Sequence, residues 1–170
     1  DIGLGIPAEP LFRSASYTTG VVPAMSVAVK ALTMPGEKVL ILSPDYNCFF
    51  SSVRNNGCEV LECVLKRKEE SGKRKEICFE VDWNDFETKC ADEKTTVFLL
   101  CNPHNPTGRV WTKEELDRMN SICLKYGVKA VSDEIHSELV MPGYRFQPFA
   151  AVSEACRQNC VILNSPSKSF

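Results

Sequence analysis

Short apolar runs recur along the sequence, and segments with helical signals separate them. The runs cover residues 38–43, 96–101, 128–132 and 161–163. Strands that alternate with helices indicate a mostly parallel sheet, because a parallel neighbour requires a long crossover connection. We therefore expect an α/β fold, with a mostly parallel (mixed) sheet sandwiched by helices. No internal repeat or linker divides the chain, so residues 1–170 are expected to form a single domain.

Capping residues mark the start of two expected helices. Thr19 or Gly20 is expected to cap a helix over residues 24–33, with Pro23 in its first turn. Residues 112–115 read Thr-Lys-Glu-Glu, which is a capping box for the next long helix. A helix that starts at a glycine also leaves backbone N–H groups free to bind an anion.

A dense run of charges lies between two further expected strands. Residues 58–65 alternate as a strand does, and residues 77–81 form the next strand. Residues 66–76 between them mix both signs of charge, with a turn expected at Ser71-Gly72. Mixed charges of this kind are typical of a solvated hairpin or loop rather than a binding patch.

Composition excludes several classes of function. The net charge of −2 predicts no nucleic-acid partner and no membrane partner, and no apolar run approaches the ~20 residues of a membrane span. Nine cysteines occur without a Cys-x-x-Cys pair, so we expect reduced thiols, no metal site and a cytoplasmic protein. The sequence opens without an initiator Met or a signal peptide, so we expect an internal piece of a longer protein.

A single lysine follows the last apolar run. Residues 148–156 are expected to form a helix, and residues 161–163 a buried strand that leads into Ser165-Pro-Ser-Lys168. A lysine just past a buried strand is partly desolvated, which favours the neutral amine that forms Schiff bases with aldehydes. The plainer interpretation is a surface lysine, since most lysines are exposed.

The same four residues match the Ser-x-x-Lys signature of β-lactamases and penicillin-binding proteins. That class also requires Ser-Asp-Asn and Lys-Thr-Gly motifs. Residues 132–134 read Ser-Asp-Glu instead, and no Lys-Thr-Gly occurs in the sequence. We therefore set a serine nucleophile aside.

Unusual polar or backbone chemistry collects where five groups of residues are expected to meet. In an open α/β sheet, ligands bind outside the carboxyl ends of the strands. Each group alone has a structural explanation, as a turn, a cap or a buried histidine, but together they indicate one site. The groups are Gly20-Val21-Val22, Pro44-Asp45-Tyr46, residues 102–105, residues 133–136 and residues 165–168.

Two of these groups suit a flat, phosphorylated ligand. The helix start at Gly20, Val21 and Val22 can bind a phosphate through backbone N–H groups. The aromatic ring of Tyr46 can stack on another flat ring.

The other groups suit a ring that stores electrons. A buried Asp133 can keep a ring nitrogen protonated, which makes the ring an electron sink. Asn105 and His136 can hydrogen-bond a ring oxygen, and Lys168 can close a Schiff base. Together these are the chemical needs of pyridoxal 5'-phosphate.

Longer motifs carry a resemblance to a known family. They read Thr19-Gly-Val-Val-Pro-Ala24, Cys101-Asn-Pro-His-Asn-Pro-Thr-Gly-Arg-Val-Trp111, Ser132-Asp-Glu-Ile-His-Ser-Glu-Leu139 and Ser165-Pro-Ser-Lys-Ser-Phe170. With them, the chain resembles the fold-type I pyridoxal-phosphate enzymes of the aminotransferase class I/II superfamily. Within that superfamily it is most similar to the MalY/PatB group of cystathionine β-lyase-like C–S lyases. The resemblance implies that residues 1–170 form most of the large domain, without the N-terminal segment and the C-terminal small domain.

The resemblance also implies a role for each candidate residue. Lys168 would bind the cofactor as a Schiff base and then move the substrate α-proton, while Asp133 would pair with the ring nitrogen. The Ser165 hydroxyl would join the backbone contacts to the phosphate. A small amino acid such as cystathionine or cysteine would lose its thiol by β-elimination, leaving pyruvate and ammonia. Family members are homodimers that share residues between their sites.

Three alternatives stay open. Aminotransfer uses the same residues for its first steps, so the motifs do not separate a lyase from an aminotransferase. Related folds also act in transcriptional regulation. Finally, the substrate-carboxylate arginine of the family lies outside the matched region, so this chain by itself is expected to be catalytically incomplete.

Overall fold

A five-stranded parallel sheet forms the centre of the molecule. The computed structural model describes residues 15–70 and 76–169. Its strands are β1 (Lys38–Ser43), β2 (Glu59–Val64), β3 (Lys66–Glu70), β4 (Glu76–Glu80), β5 (Thr95–Cys101), β6 (Lys129–Asp133) and β7 (Cys160–Leu163). The order across the central sheet is β2-β1-β5-β6-β7, and each neighbouring pair runs parallel. The expected α/β fold with a mostly parallel sheet is confirmed.

Helices cover both faces of this sheet. They are α1 (Val21–Leu32), α2 (Asn47–Arg54), α3 (Trp83–Cys90), α4 (Lys113–Lys125) and α5 (Glu154–Gln158). Residues of α1 and α2 share one apolar cluster with the sheet, and residues of α3, α4 and α5 share the other. Two 3-10 turns, Phe149–Ala151 and Pro166–Lys168, complete the described elements.

Burial on both faces explains why the central strands read as unbroken apolar runs. In β1, Val39 and Ile41 pack on the side of α1 and α2, whereas Leu40 and Leu42 pack on the opposite side. All four side chains are fully buried. Alternate residues of a strand point to opposite faces, so a strand covered on both sides needs apolar residues at every position.

The capping signals locate the helices well. Gly20 is the N-cap of α1, and the helix starts three residues earlier than the expected range. The capping box of α4 is present, since the Thr112 hydroxyl accepts from Glu115 N–H at 3.2 Å and Glu115 accepts from Thr112 N–H at 2.9 Å. Local hydrogen bonds of this kind depend on neighbouring residues alone, which is why they can be predicted.

The charged run forms the expected hairpin. Strands β3 and β4 pair antiparallel as a separate two-stranded sheet. Opposite charges meet along it, as in the ion pair of Lys68 with Glu80 at 2.5 Å. The turn expected at Ser71-Gly72 lies outside the described residues.

The helix expected over residues 148–156 is wrong. A 3-10 turn at Phe149–Ala151 and the short helix α5 occupy this stretch instead. The break comes at Ser153, which adopts an extended conformation and caps α5 by accepting from Cys156 N–H at 3.2 Å. A serine that caps a new helix cannot also continue the turn before it.

The last apolar run is a strand, but only Leu163 of its three residues is buried, at 6% exposure. Within β7, Val161 is 37% exposed and Ile162 is 36% exposed. The reason is its place in the sheet, because among the described residues β7 pairs with β6 alone and leaves its other edge open. Its apolar residues therefore gave a misleading signal of burial.

Two observations bear on the classes of site and partner. No helix in the described part of the chain is long and apolar enough to cross a membrane. Within residues 15–70 and 76–169, no group of three or more His, Cys, Asp or Glu side chains is placed to bind a metal. The cysteines are free thiols, and most of them are buried as small apolar residues.

Candidate active site

The carboxyl ends of β1, β5 and β6 and the amino end of α1 surround one cavity. Its volume is about 260 Å³. The predicted residues that line it are Val21, Val22, Tyr46, Asn105, Asp133, His136 and Lys168. The structure thus brings together most of a set whose members lie up to about 150 positions apart in the sequence.

The start of α1 presents free backbone donors to this cavity. Gly20, the N-cap, has φ of +156° and provides no side-chain cap. Among the first residues of the helix, Pro23 has no N–H group, and the N–H group of Ala24 donates to Gly20 O at 3.1 Å. Those of Val21 and Val22 are therefore the ones that point out of the helix end. A helix start of this form suits an anion, because the N–H groups and the helix dipole both favour negative charge.

Asp133 ends β6 and is the most perturbed acid of the cavity. It is 6% exposed, and its Oδ1 accepts from Ile135 N–H at 3.0 Å. Burial raises the pKa of Asp133 to about 6, and the negative charge of Asp45 adds to the shift. A positively charged ring nitrogen would lower this pKa again, since an opposite charge nearby stabilises a carboxylate.

The neighbouring acid, Glu134, has a structural role. Its Oε1 accepts from Phe149 N–H at 2.8 Å and from the Ser132 hydroxyl at 3.1 Å. Burial also raises the pKa of Glu134, although these hydrogen bonds oppose the shift. Glu134 therefore anchors the turn at Phe149 and does not line the cavity. The sequence placed the two acids side by side and did not separate their functions.

His136 and Lys168 meet at the mouth of the cavity. Burial lowers the pKa of His136, and the positive charge of Lys168 lowers it further. His136 is therefore neutral near pH 7, and one ring nitrogen can donate a hydrogen bond. Lys168 is exposed in the 3-10 turn Pro166–Lys168, so the expected desolvation by a buried strand is wrong for the described chain.

Two predicted residues do not line the cavity. Gly20 lies one position before the first residue that does. Ser165 faces a different hollow beside Ser137 and Glu138, and its hydroxyl accepts from Ser167 N–H at 3.2 Å. Ser167 lines the cavity in place of Ser165, because the 3-10 turn rotates successive side chains to different sides.

Sequence reasoning missed four residues of the cavity wall. They are Phe49, Cys101, Ile135 and Ser167. Cys101 fixes the loop that follows β5, because its sulfur accepts from Asn105 N–H at 3.3 Å. Its position at the end of an apolar run, directly before Asn102, was the available signal. Phe49 and Ile135 resemble ordinary core residues in the sequence and gave no signal.

A larger cavity of about 500 Å³ lies beside this one and shares Asn105 and His136 with it. Its outer wall is apolar and exposed, with Leu139, Met141 and Tyr144. It is lined by no lysine and no carboxylate. The smaller cavity therefore holds the lysine and the carboxylate that the sequence singled out.

Comparisons with known proteins identify the family. The profile described as aminotransferase class I and II matches residues 13–170. The chain belongs to this family. It is 41% identical over 158 residues to cystathionine beta-lyase PatB from Bacillus subtilis, covering 93% of this chain and 39% of PatB. It is 30% identical over 156 residues to kynurenine–oxoglutarate transaminase 3 from Bos taurus, covering 90% of this chain and 33% of that protein.

A solved structure supports the same assignment. Cystalysin from Treponema denticola, which contains pyridoxal 5'-phosphate, superposes with a TM-score of 0.82 and 38% identity. The match covers 90% of this chain and 37% of cystalysin. The chain thus spans about two fifths of the length of these relatives. The family consists of pyridoxal-phosphate enzymes.

The residues around the cavity fit this cofactor. The start of α1 offers two N–H groups to a phosphate, at Val21 and Val22. Asp133 is a buried acid whose pKa is raised by burial, so its charged form would gain from a positive neighbour. Lys168 supplies an accessible amine at the cavity mouth. An anion site, an acid and an amine around one pocket match the phosphate, the ring nitrogen and the aldehyde of pyridoxal phosphate.

Proposed function

We propose that the complete protein is a pyridoxal-phosphate-dependent C–S β-lyase. Its substrates would be small amino acids with sulfur on the β-carbon, such as cystathionine or cysteine, and its products a thiol, pyruvate and ammonia. The observation that carries this proposal is the 41% identity to cystathionine beta-lyase PatB, which spans every strand that borders the cavity. The convergence of Lys168, Asp133 and His136 on that cavity supports it.

Each residue has a proposed task that follows from its place in the cavity. Val21 and Val22 would bind the phosphate through their N–H groups, and Gly20 supplies the positive φ at the helix start. Ser167, which lines the cavity, is a better placed hydroxyl for the same group than Ser165. Tyr46 stacks on the ring from the β1 end.

The remaining residues hold or move protons. When bound, the cofactor supplies a ring that stores the electron pair left by the departing α-proton. Asp133 would hold the proton on the ring nitrogen, and Asn105 and His136 would hydrogen-bond the ring oxygen. Lys168 would hold the aldehyde, and its free amine would take the substrate α-proton.

Aminotransfer is the second candidate function. It is supported by the similarity to kynurenine–oxoglutarate transaminase 3, which aligns over 90% of this chain. The described residues serve both reactions, because both begin with removal of the α-proton by a lysine. The two differ in whether a keto acid is required as an acceptor.

We further propose that residues 1–170 are most of the large domain, that the protein acts in the cytoplasm, and that it forms a homodimer. The length of the match supports the first point, since the chain spans about two fifths of its relatives. The open edge of β7 and the shallow position of Lys168 also favour further covering structure in the complete protein. The 170 residues by themselves would then be catalytically incomplete.

The decisive experiment uses the complete protein and Lys168→Ala. The wild type, mixed with pyridoxal phosphate, should absorb near ~420 nm, and borohydride should abolish the band and fix the cofactor to Lys168. Lys168→Ala should show neither result. Pyruvate released from cystathionine without a keto acid supports the lyase, whereas turnover that depends on a keto acid supports the aminotransferase. A wild type with no such band contradicts both.

A further inference from the structure

The carboxyl group of Asp45 is buried beside the candidate site without a full set of partners. Its side chain is 0% exposed, although it follows directly after Pro44 in a loop. Its Oδ1 accepts from Tyr46 N–H at 2.7 Å. Its Oδ2 has no hydrogen-bond partner among the described residues, and it lies 3.7 Å from His104 Nε2. Buried carboxyl oxygens normally have partners, so this arrangement requires an explanation.

His104 is held in one orientation opposite Asp45. Its side chain is also 0% exposed. Its Nδ1 lies 2.8 Å from the Thr107 hydroxyl, and its Nε2 lies 3.3 Å from Leu42 O. Its ring packs edge-on against Trp111, with the ring centres 5.6 Å apart. These contacts direct Nε2 toward the end of β1, where Asp45 lies.

The pair joins two separate loops of the cavity wall. Asp45 precedes Tyr46 on the loop after β1, and His104 precedes Asn105 on the loop after β5. Both Tyr46 and Asn105 line the cavity. We propose that Asp45 and His104 form a buried latch that fixes the positions of Tyr46 and Asn105 around the bound cofactor. This inference rests on the proposed function, and it makes Asp45 and His104 positioning residues.

The energetics favour a functional role over a purely structural one. Burying a carboxylate next to a histidine carries a large desolvation cost, and well-packed apolar residues often serve stability as well or better. Leu42, whose carbonyl oxygen lies 3.3 Å from His104 Nε2, is fully buried in the apolar core. Burial raises the pKa of Asp45 while His104 lowers it, and the charge of Asp45 in turn acts on Asp133. The pair is therefore electrically coupled to the site as well as adjacent to it.

The first test measures cofactor binding by the complete protein. Asp45→Asn keeps the shape of the side chain and removes its charge. His104→Gln removes the imidazole, which is the other member of the pair, on the loop after β5. Each change should weaken the binding of pyridoxal phosphate roughly tenfold and alter the circular dichroism of the bound ring, as outer-shell partners of bound groups typically do. The two changes together should cost no more than the larger single effect, since they break one latch.

A control and a second background separate positioning from general damage. Asp92→Asn makes the same chemical change at the opposite end of the sheet, next to Lys38, and should leave cofactor affinity unchanged. In a Tyr46→Ala background, Asp45→Asn should have a smaller effect on affinity than in the wild type, because only the position of Asn105 remains to be disturbed. Full, additive effects in that background would overturn the latch.

Amide hydrogen exchange of the cofactor-free protein provides an independent measurement. Tyr46 N–H donates to Asp45, and Gly108 N–H donates to His104 O at 2.8 Å. Either substitution should speed exchange in both loops, because a latch that opens from one side releases the other. Faster exchange confined to the mutated loop would overturn the latch. If the wild type binds no cofactor but either substitution speeds exchange in both loops, the proposed function is contradicted and the latch is supported.

Discussion

Buried polar groups at the two ends of the parallel sheet differ in their hydrogen bonding. At the amino ends of the strands, Asn159 donates to Asn120 Oδ1 at 3.3 Å and to Val128 O at 3.0 Å. At the carboxyl ends, Asp45 Oδ2, Asn102 Oδ1 and Arg109 Nε are buried and lack hydrogen-bond partners among the described residues. Every such atom found in the described residues lies on the loops after β1 and β5.

The unpaired buried polar atoms thus lie at the end of the sheet that carries the candidate site, although none of their three residues lines its cavity. A satisfied polar group at the amino end lowers the free energy of the folded state. An unsatisfied or strongly shifted group at the carboxyl end raises it, and such groups persist at functional sites, where binding compensates for them. Four predictions follow the contrast from the strongest expected effect to the weakest.

The largest effect should come from removing the cavity acid. Asp133→Ala in the complete protein should lower kcat roughly 100-fold or more, because the ring nitrogen loses the charge that stabilises the transition state. Steady-state kinetics with saturating cofactor measures this change. Asn159→Ala, at the other end of the sheet, should retain the wild-type kcat per folded molecule. Equal losses in the two variants would remove the functional distinction between the ends.

Asp133 should also destabilise the cofactor-free protein, at a cost in stability that depends on pH. The pKa of Asp133 is about 6 when folded and 3.8 as its ordinary value, so the folded state binds more protons between these limits. The contribution of Asp133 to the free energy of unfolding should therefore fall as the pH rises from 4 to 6 and stay level above pH 6.

Asp133→Asn removes this cost. Its stability advantage over the wild type should grow from near zero at pH 4 to roughly 2–3 kcal/mol at pH 7, at about 1.4 kcal/mol for each pKa unit. Urea unfolding at several pH values measures the difference. The raised pKa values of Asp45 and Glu134 are common to both proteins, so they largely cancel. Parallel pH profiles would show that Asp133 is not perturbed.

Two buried asparagines offer a matched comparison of stability. Asn159→Ala leaves Asn120 Oδ1 and Val128 O without their donor, and should cost about 2 kcal/mol. Asn102→Ala loses the bond to Gln147 O and an interaction with Glu134, but it also removes an oxygen that had no partner, so it should cost about 1 kcal/mol. Chemical denaturation ranks the two. A larger loss for Asn102→Ala would contradict the contrast.

The smallest effect is expected at a capping residue away from the cavity. Thr112→Ala breaks the capping box of α4 and should cost about 1 kcal/mol of stability. Cofactor affinity should stay within the error of the wild-type value, although α4 follows the loop that carries Asn105. Thermal unfolding measures the loss of stability, and a cofactor titration measures the affinity. A clear loss of affinity would extend the functional region into α4.

Much of the fold could be predicted because its signals are local. The strands at 38–43 and 96–101 and the caps at Gly20 and Thr112 depend on adjacent residues, and they were located within a few positions. The failures had non-local causes. The helix expected over 148–156 was interrupted by a competing cap, and the apolar run at 161–163 lies on an open edge of the described sheet.

The candidate site could be predicted as a list of residues but not as an arrangement. Asp133 and Glu134 are adjacent and chemically similar, yet one faces the cavity and the other binds Phe149 N–H. For a similar reason, Ser167 lines the cavity and the predicted Ser165 does not, since the turn decides which hydroxyl faces inward. Side-chain direction at a strand end depends on the backbone of one or two residues, which a motif does not specify.

The sequence by itself determined the order of strands and helices, the caps and the motifs that indicate a pyridoxal-phosphate enzyme. The elements and caps follow from periodicity and from local hydrogen bonds, which act over a few residues, whereas the motifs indicate the cofactor through their resemblance to a known family. The tertiary structure alone decided that β1 lies beside β5, and therefore that Asp45 meets His104 across 59 positions of sequence. It also decided which of the polar residues became buried. Burial and charge proximity depend on which strands are neighbours, so the shifted acid at Asp133 and the latch at its side could not be derived from the sequence.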